Sequence, residues 1–238
     1  MKERGAEPRS FLEHVEELRR RLLRAIIALA VGVVISAFFT PRWLEWLARP
    51  VGGLEKLEAI EVTENLGVFM QVALLGGVLL AMPVIVYQIW RFVTPGLYPH
   101  EKRYIYILAP AATLLFLAGA AFAYFVMLPA AVPALLGFAP IPTRPRPANY
   151  ISFVTNLMFW VGVSFEMPLF IFFLAKVRLV HPRDLLHHWR VAVFLIALLA
   201  ALVTPTGDPI NMGLVMIPLI VLYVLSILLA RVAYRESK

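Results

Sequence analysis

Apolar residues gather along the chain into six blocks separated by short polar stretches, at about 22–40, 66–91, 104–128, 150–175, 190–204 and 210–230. Five of the six run to about 20 residues or more, the helix length that crosses the ~30 Å hydrocarbon core of a bilayer. The fifth block is short: Val191 to Val203 supplies 13 apolar residues before Thr204 and Pro205. Even 17 residues of helix reach only about 25 Å, so this span predicts a locally thinned bilayer or an end sunk in a depression. Pro83 and Pro168 fall inside blocks and predict kinks, hence a concave bundle of six helices. Ahead of the first block, Phe11, Val15, Leu18 and Leu22 form one stripe at helical spacing. Ser10 and Glu13 read as a capping box, and Glu16–Arg20 and Glu17–Arg21 as i,i+4 pairs. A helix over 10–24 that continues into the first span follows. Residues 41–65, with five Glu plus Trp43 and Trp46, predict an interfacial helix and a polar cap. Residues 129–147, with six Pro, predict an extended, stiff segment.

An even number of spans places both termini on one side. Of the 22 Lys and Arg, 17 fall on the side of the termini and five (Arg42, Arg49, Lys56, Arg144, Arg146) on the other. The positive-inside rule then makes the termini cytoplasmic. The composition agrees with a single integral membrane domain over 1–238: 61% hydrophobic, 16% charged, mean hydropathy +0.80, which excludes an ordinary soluble globule. The net charge of +7 reads as topology rather than nucleic-acid binding, because the cations flank apolar spans without interleaved aromatics and glycines. The absence of Cys excludes disulfides, thiol catalysis and thiolate metal sites. Met1 to Arg24 carries five Glu among seven Lys or Arg, which argues against a cleavable signal peptide and for a permanent first helix.

Few residues offer chemistry. Glu166 is the carboxylate placed inside a span, and an ionisable group there defaults to a functional role, facing a partner or a wet cavity. In the loop after the second span, Glu101 stands beside Lys102 and Arg103. Together with Glu16 and Glu17 it presents carboxylates on an otherwise basic face, suited to a pair of guanidinium groups. Asp208 reads as a turn residue that caps the last span. His181, His187 and His188 lack neighbouring carboxylate or thiol ligands and read as solvated rather than metal-binding. No phosphate loop, nucleophile elbow or carboxylate pair is present, so no enzyme, cofactor or metal is expected.

Five motifs then fall in order: Phe11 to His14 with Glu17 to Arg19; Tyr87 to Trp90 with Phe92, Pro95, Leu97, Tyr98 and Glu101; Gly119 with Phe122 to Phe125; Gly162 to Pro168; and Thr204, Pro205 with Asp208. In a six-span chain with both ends inside, this order resembles TatC, the receptor subunit of the twin-arginine protein translocase, over about residues 10 to 230. The resemblance implies a receptor in a bacterial or archaeal cytoplasmic membrane for folded cargo whose signal peptides carry paired arginines. It implies export driven by the proton gradient, the single-span partners TatA and TatB, and further copies of the chain itself in the complex. On the same footing the signal-peptide site maps to Glu17, Arg19, Phe92 and Glu101, and a partner-helix contact to Glu166. The rival reading is a proton-coupled secondary transporter with Glu166 as carrier. Against it stand the missing internal repeat and the missing matched breaks in two halves.

Overall fold

A computed structural model describes residues 11–93, 105–137, 143–204 and 209–236. Helices dominate, and no strand occurs among the described residues. α1 (Phe11–Leu47) is one helix of 37 residues. The amphipathic stretch expected over 10–24 and the first span are therefore continuous, at about 55 Å. The interfacial helix expected after Pro41 is the end of α1 itself, since Pro41 is accommodated inside it. Two short 3-10 turns, Arg49–Val51 and Leu54–Lys56, lead to α2 (Glu64–Val93). α1 and α2 approach backbone to backbone through glycines. A Cβ on Gly32 would lie 2.6 Å from the Gly77 carbonyl oxygen, and one on Gly77 only 2.7 Å from the Val33 amide nitrogen. Small residues allow this approach where lipid removes the hydrophobic drive for helix association.

The third crossing corrects the expected boundaries. α3 (Ile105–Phe122) passes through a π-helical turn, Ala123–Met127, into α4 (Leu128–Leu136). The Pro-rich stretch from 129 is thus helical in its first half rather than extended. The Leu128 N–H reaches back five residues to the Ala123 carbonyl, and Pro129 enters α4 in its first turn, where a missing donor matters least. Pro133 adds a φ already suited to a helix. The segment is non-helical over 143–146, where Arg146 is extended (φ −69°, ψ 135°), as the residue before Pro147 favours. The prolines at 140 and 142 lie outside the described residues.

The fourth crossing is two helices, α5 (Pro147–Phe165) and α6 (Met167–Lys176), broken at Glu166. There the amide bonds to the Val163 carbonyl at 3.1 Å, a tightened turn, and Pro168 prevents the regular ladder from resuming at once. α7 (Pro182–His187), α8 (Trp189–Val203) and α9 (Pro209–Glu236) complete the bundle. Five helical segments of 23 to 39 residues are long and apolar enough to cross a membrane. α8, with 15 residues, spans about 22 Å and is the short crossing the sequence predicts. The core runs along α5, where Ile151, Val154, Leu157 and Val161 are almost fully enclosed. α3 and α5 also meet at glycine: a Cβ on Gly119 would lie 2.9 Å from the Cα of Gly162.

Candidate functional site

The start of α1, the end of α2 and the ends of α6 and α9 share one end of the bundle, here the terminal end. Arg21 reaches Gln88, Trp90 meets Phe173 edge-on at 4.7 Å between ring centroids, and the His181 ring lies 4.6 Å from that of Tyr234. A hollow of about 440 Å³ opens there, lined by Glu13, Glu16, Glu17, Arg20, Arg21, Arg24 and Arg91. Helical periodicity builds it: positions 13, 16, 17, 20, 21 and 24 repeat every three or four residues on one face of α1.

Two of the sequence-predicted residues come together across this junction. Glu17, half-buried, pairs with Arg21 at 2.9 Å. The Phe92 ring packs on His14 of α1 with centroids 4.6 Å apart, so α2 delivers it to the same stretch of α1. Arg19 is exposed and lies outside the hollow's lining, two residues and about 200° around the helix from Glu17. Glu101, Pro95, Leu97 and Tyr98 lie outside the described residues, as do Ser10 of the expected capping box and Asp208. The histidines serve local structure: His181 caps α7 by accepting from the Arg183 amide at 3.1 Å, and His188 Nδ1 lies 2.8 Å from the Asp184 carbonyl oxygen.

Glu166 occupies a second place. It borders an apolar groove of about 320 Å³ lined by Ile89, Trp90 and Val93 of α2, Ala112 of α3 and residues of α6 that include Leu169 and Phe170. Its Oε1 is buried and makes no hydrogen bond, which is uncommon for a carboxylate and costly unless a partner supplies a donor. The last turn of α2 is the wall between both places. Arg91 lines the charged hollow and the buried Gln88 holds its Arg21, while Ile89, Trp90 and Val93 line the groove.

Long-range tyrosine and carboxylate contacts hold the other, distal end, and the sequence alone assigns them no role. Tyr124 and Tyr150 donate to the Trp46 and Leu47 carbonyls at 2.7 and 2.8 Å. They satisfy acceptors that the end of α1 leaves open. Glu64 accepts from the amides of Ile60 and Ala148 and from Arg146, which also bonds Glu61 at 3.0 Å. The Glu61 hydrogen bond, then that of Glu64, pushes the Arg146 guanidinium above its ordinary pKa. Gln88 completes the set of residues missed as partners. The Glu17–Arg21 and Glu16–Arg20 pairs expected from their i,i+4 spacing are both formed.

The family model for the Sec-independent protein translocase protein TatC matches residues 13–218. The chain belongs to the TatC family. The TatC protein of Aquifex aeolicus is 37% identical over 235 residues, covering 95% of this chain and 96% of its own length. The Bacillus subtilis protein TatCy is 34% identical over 237 residues, covering 96% and 91%. A crystal structure of the twin-arginine translocase receptor TatC superposes with a TM-score of 0.84 at 37% identity, covering 92% of this chain and 99% of that one. As a TatC-family member the chain is a multi-pass membrane component of a protein translocase, a family that is not one of catalytic enzymes. Gly119 and Gly162, quoted for the resemblance, are where α3 and α5 touch, and Glu166 is where α5 and α6 part.

Proposed function

We propose that this chain is the signal-peptide receptor of a twin-arginine translocase. Both termini are cytoplasmic, and the hollow at the terminal end receives the paired arginines of the signal peptide. The observation that carries this reading is the junction of α1 and α2, which sets Glu17 and the Phe92 ring on one face from segments far apart in sequence. A half-shielded carboxylate gives a guanidinium more than an exposed one does, because solvent screens it less. The aromatic ring offers apolar surface to the residues that flank the arginines. Glu101 supplies the second carboxylate and Arg19 a backing charge on α1. Glu166 receives a polar side chain from the membrane helix of a single-span partner, TatA or TatB, in the groove that its unpaired oxygen faces. Copies of the complex assemble in a bacterial or archaeal cytoplasmic membrane, and the proton gradient drives export.

Binding of a labelled signal peptide to the full chain in lipid nanodiscs tests the site. Glu17→Ala or Glu101→Ala removes a charge-assisted bond worth about 1.5 to 3 kcal/mol, so affinity for a twin-arginine peptide falls roughly 10- to 150-fold. A twin-lysine peptide loses much less. Equal loss for both peptides indicates general disruption, and no loss for either rejects the site.

A further inference from the structure

A second apolar groove opens beside the charged hollow. It holds about 580 Å³ between α2 and α3, with Pro83, Val84 and Tyr87 on one wall and Ala109, Pro110 and Leu114 on the other. No carboxylate or cation lines it. Tyr87 is the seam between hollow and groove. Its ring lines the groove, and its hydroxyl accepts a hydrogen bond from Nη1 of Arg91, which lines the hollow. The guanidinium carbon of Arg91 also lies 5.7 Å from the centre of that ring. A tyrosine suits such a boundary, since its body is apolar and its tip polar. From this seam the groove runs back along α2 to Pro83, eight residues before Arg91, a depth of about 12 Å.

A secretory signal peptide carries an apolar region of about 7 to 15 residues after its basic region. With the arginines in the hollow, that region needs an apolar seat close to them. Two grooves adjoin this end of the bundle. The one at Glu166 lies beyond the last turn of α2 and holds an enclosed, unbonded carboxylate oxygen, which a purely apolar segment cannot satisfy. The α2–α3 groove begins where the hollow ends, and its depth of about 12 Å takes about eight residues of helix. Resting on the receptor reading above, we propose that the α2–α3 groove seats the apolar segment that follows the paired arginines. Lipid is as apolar as the groove, so the groove adds packing and a fixed direction rather than hydrophobic drive. The peptide is thereby recognised in two parts, by charge in the hollow and by shape below it. A partner helix at Glu166 lies across the last turn of α2 from this seat, so peptide and partner bind at the same time.

The test is photo-crosslinking on the full chain in lipid nanodiscs, with a twin-arginine signal peptide that carries a photoreactive side chain in its apolar segment. Capture is expected on the groove walls, at residues 83–87 and 109–114. Capture on Leu169 or Phe170 would put the segment in the Glu166 groove, and capture on lipid alone would leave it without a seat on the protein; either result overturns the proposal. Val84→Trp and Leu114→Trp fill the groove from exposed positions that folding tolerates. Each is expected to abolish capture on the opposite wall and to weaken the peptide about fivefold, the low end of the cost of overpacking. A peptide with the same arginines and its apolar segment replaced by Gly and Ser is unaffected. Leu74→Trp, exposed on α2 outside the groove, is the control and changes neither reading. Unchanged capture and affinity in both groove variants also overturn the seat. Glu17→Ala separates the two levels: unchanged twin-arginine affinity there removes the receptor site itself, whereas a loss there with capture outside the groove removes the seat alone.

Discussion

At the distal end of the bundle the Glu64 carboxylate draws three stretches of chain together, accepting from Ile60 at 3.1 Å, Ala148 at 3.0 Å and Arg146 at 3.4 Å. Its side chain is nearly enclosed, so the carboxylate acts as a fastening between the start of α2 and the start of α5. Glu166 is the contrasting case, a carboxylate with one oxygen enclosed and unbonded beside an apolar groove. In the docking role proposed above, a donor from a partner helix completes this oxygen, a contact worth about 1 to 2 kcal/mol in a membrane. Glu166→Gln keeps a polar acceptor and is expected to retain partner association and transport. Glu166→Leu lowers association with a single-span partner roughly 5- to 30-fold. Co-purification of the partner with each variant measures this, with signal-peptide binding unchanged as the control. Loss of transport in Glu166→Gln as complete as in Glu166→Leu, with partner binding intact in both, replaces docking by a proton-relay role. The two carboxylates differ in legibility for a physical reason. Glu166 announces itself by standing in an apolar run, whereas the partner of Glu64 lies 82 residues away and no local spacing encodes it.

Helices in this chain are specified by two different signals. Length and apolarity identify the spans, and glycine decides which faces meet. Gly77 and Gly67 both lie on α2, but a Cβ on Gly77 would strike the Val33 backbone, whereas one on Gly67 meets nothing within 4 Å. Gly77→Ala must therefore push α1 and α2 apart and is expected to destabilise by about 1 to 3 kcal/mol, the usual cost of overpacking. Gly67→Ala gains the helix propensity of alanine, about 0.5 to 1 kcal/mol, with no clash to offset it. Thermal unfolding of the two variants in one detergent gives shifts of opposite sign, and equal shifts would show that the α1–α2 approach is not glycine-limited. The Pro-rich stretch is where reading elements from sequence failed. Proline number argues for extended chain, yet Pro129 and Pro133 stand four residues apart with a π turn before them, and their fixed φ suits a helix as well as it suits a coil. The break at Glu166 was legible as a kink because Pro168 lies inside an otherwise continuous apolar run.

For the whole molecule, the folded contacts bring the start of α1 and the end of α9 to one end of the bundle, as an even number of apolar blocks predicts. The start of α1 and the ends of α2, α6 and α9 gather at one end, where Arg21 meets Gln88 and His181 meets Tyr234. The end of α1, the start of α2 and the start of α5 gather at the other, around Glu64 and Arg146. The sequence reading assigns seventeen of the 22 Lys and Arg to the side of the termini. The contacts put the start of α1 and the end of α9 at one end, and in the receptor reading proposed above the excess of cations expected there makes that end cytoplasmic. The helices and the shared end of the termini were readable from sequence because apolar length is a local signal. Which helices touch was not, since it depends on glycine and tyrosine contacts between remote segments. The natural chain contains no Cys, so a single introduced cysteine reports its own position. Lys56→Cys, Pro145→Cys and Gly207→Cys are expected to react with an impermeant thiol reagent added to intact cells. His14→Cys, His100→Cys, Asp184→Cys and Glu236→Cys react only after the membrane is opened. The position at 207 is the most demanding of these, because it follows the 15-residue α8, which reaches only about 22 Å of a ~30 Å core. Full labelling there shows that the bilayer thins or dips to meet the short helix. Labelling at 100 from outside would invert the second and third crossings and reject the six-span arrangement.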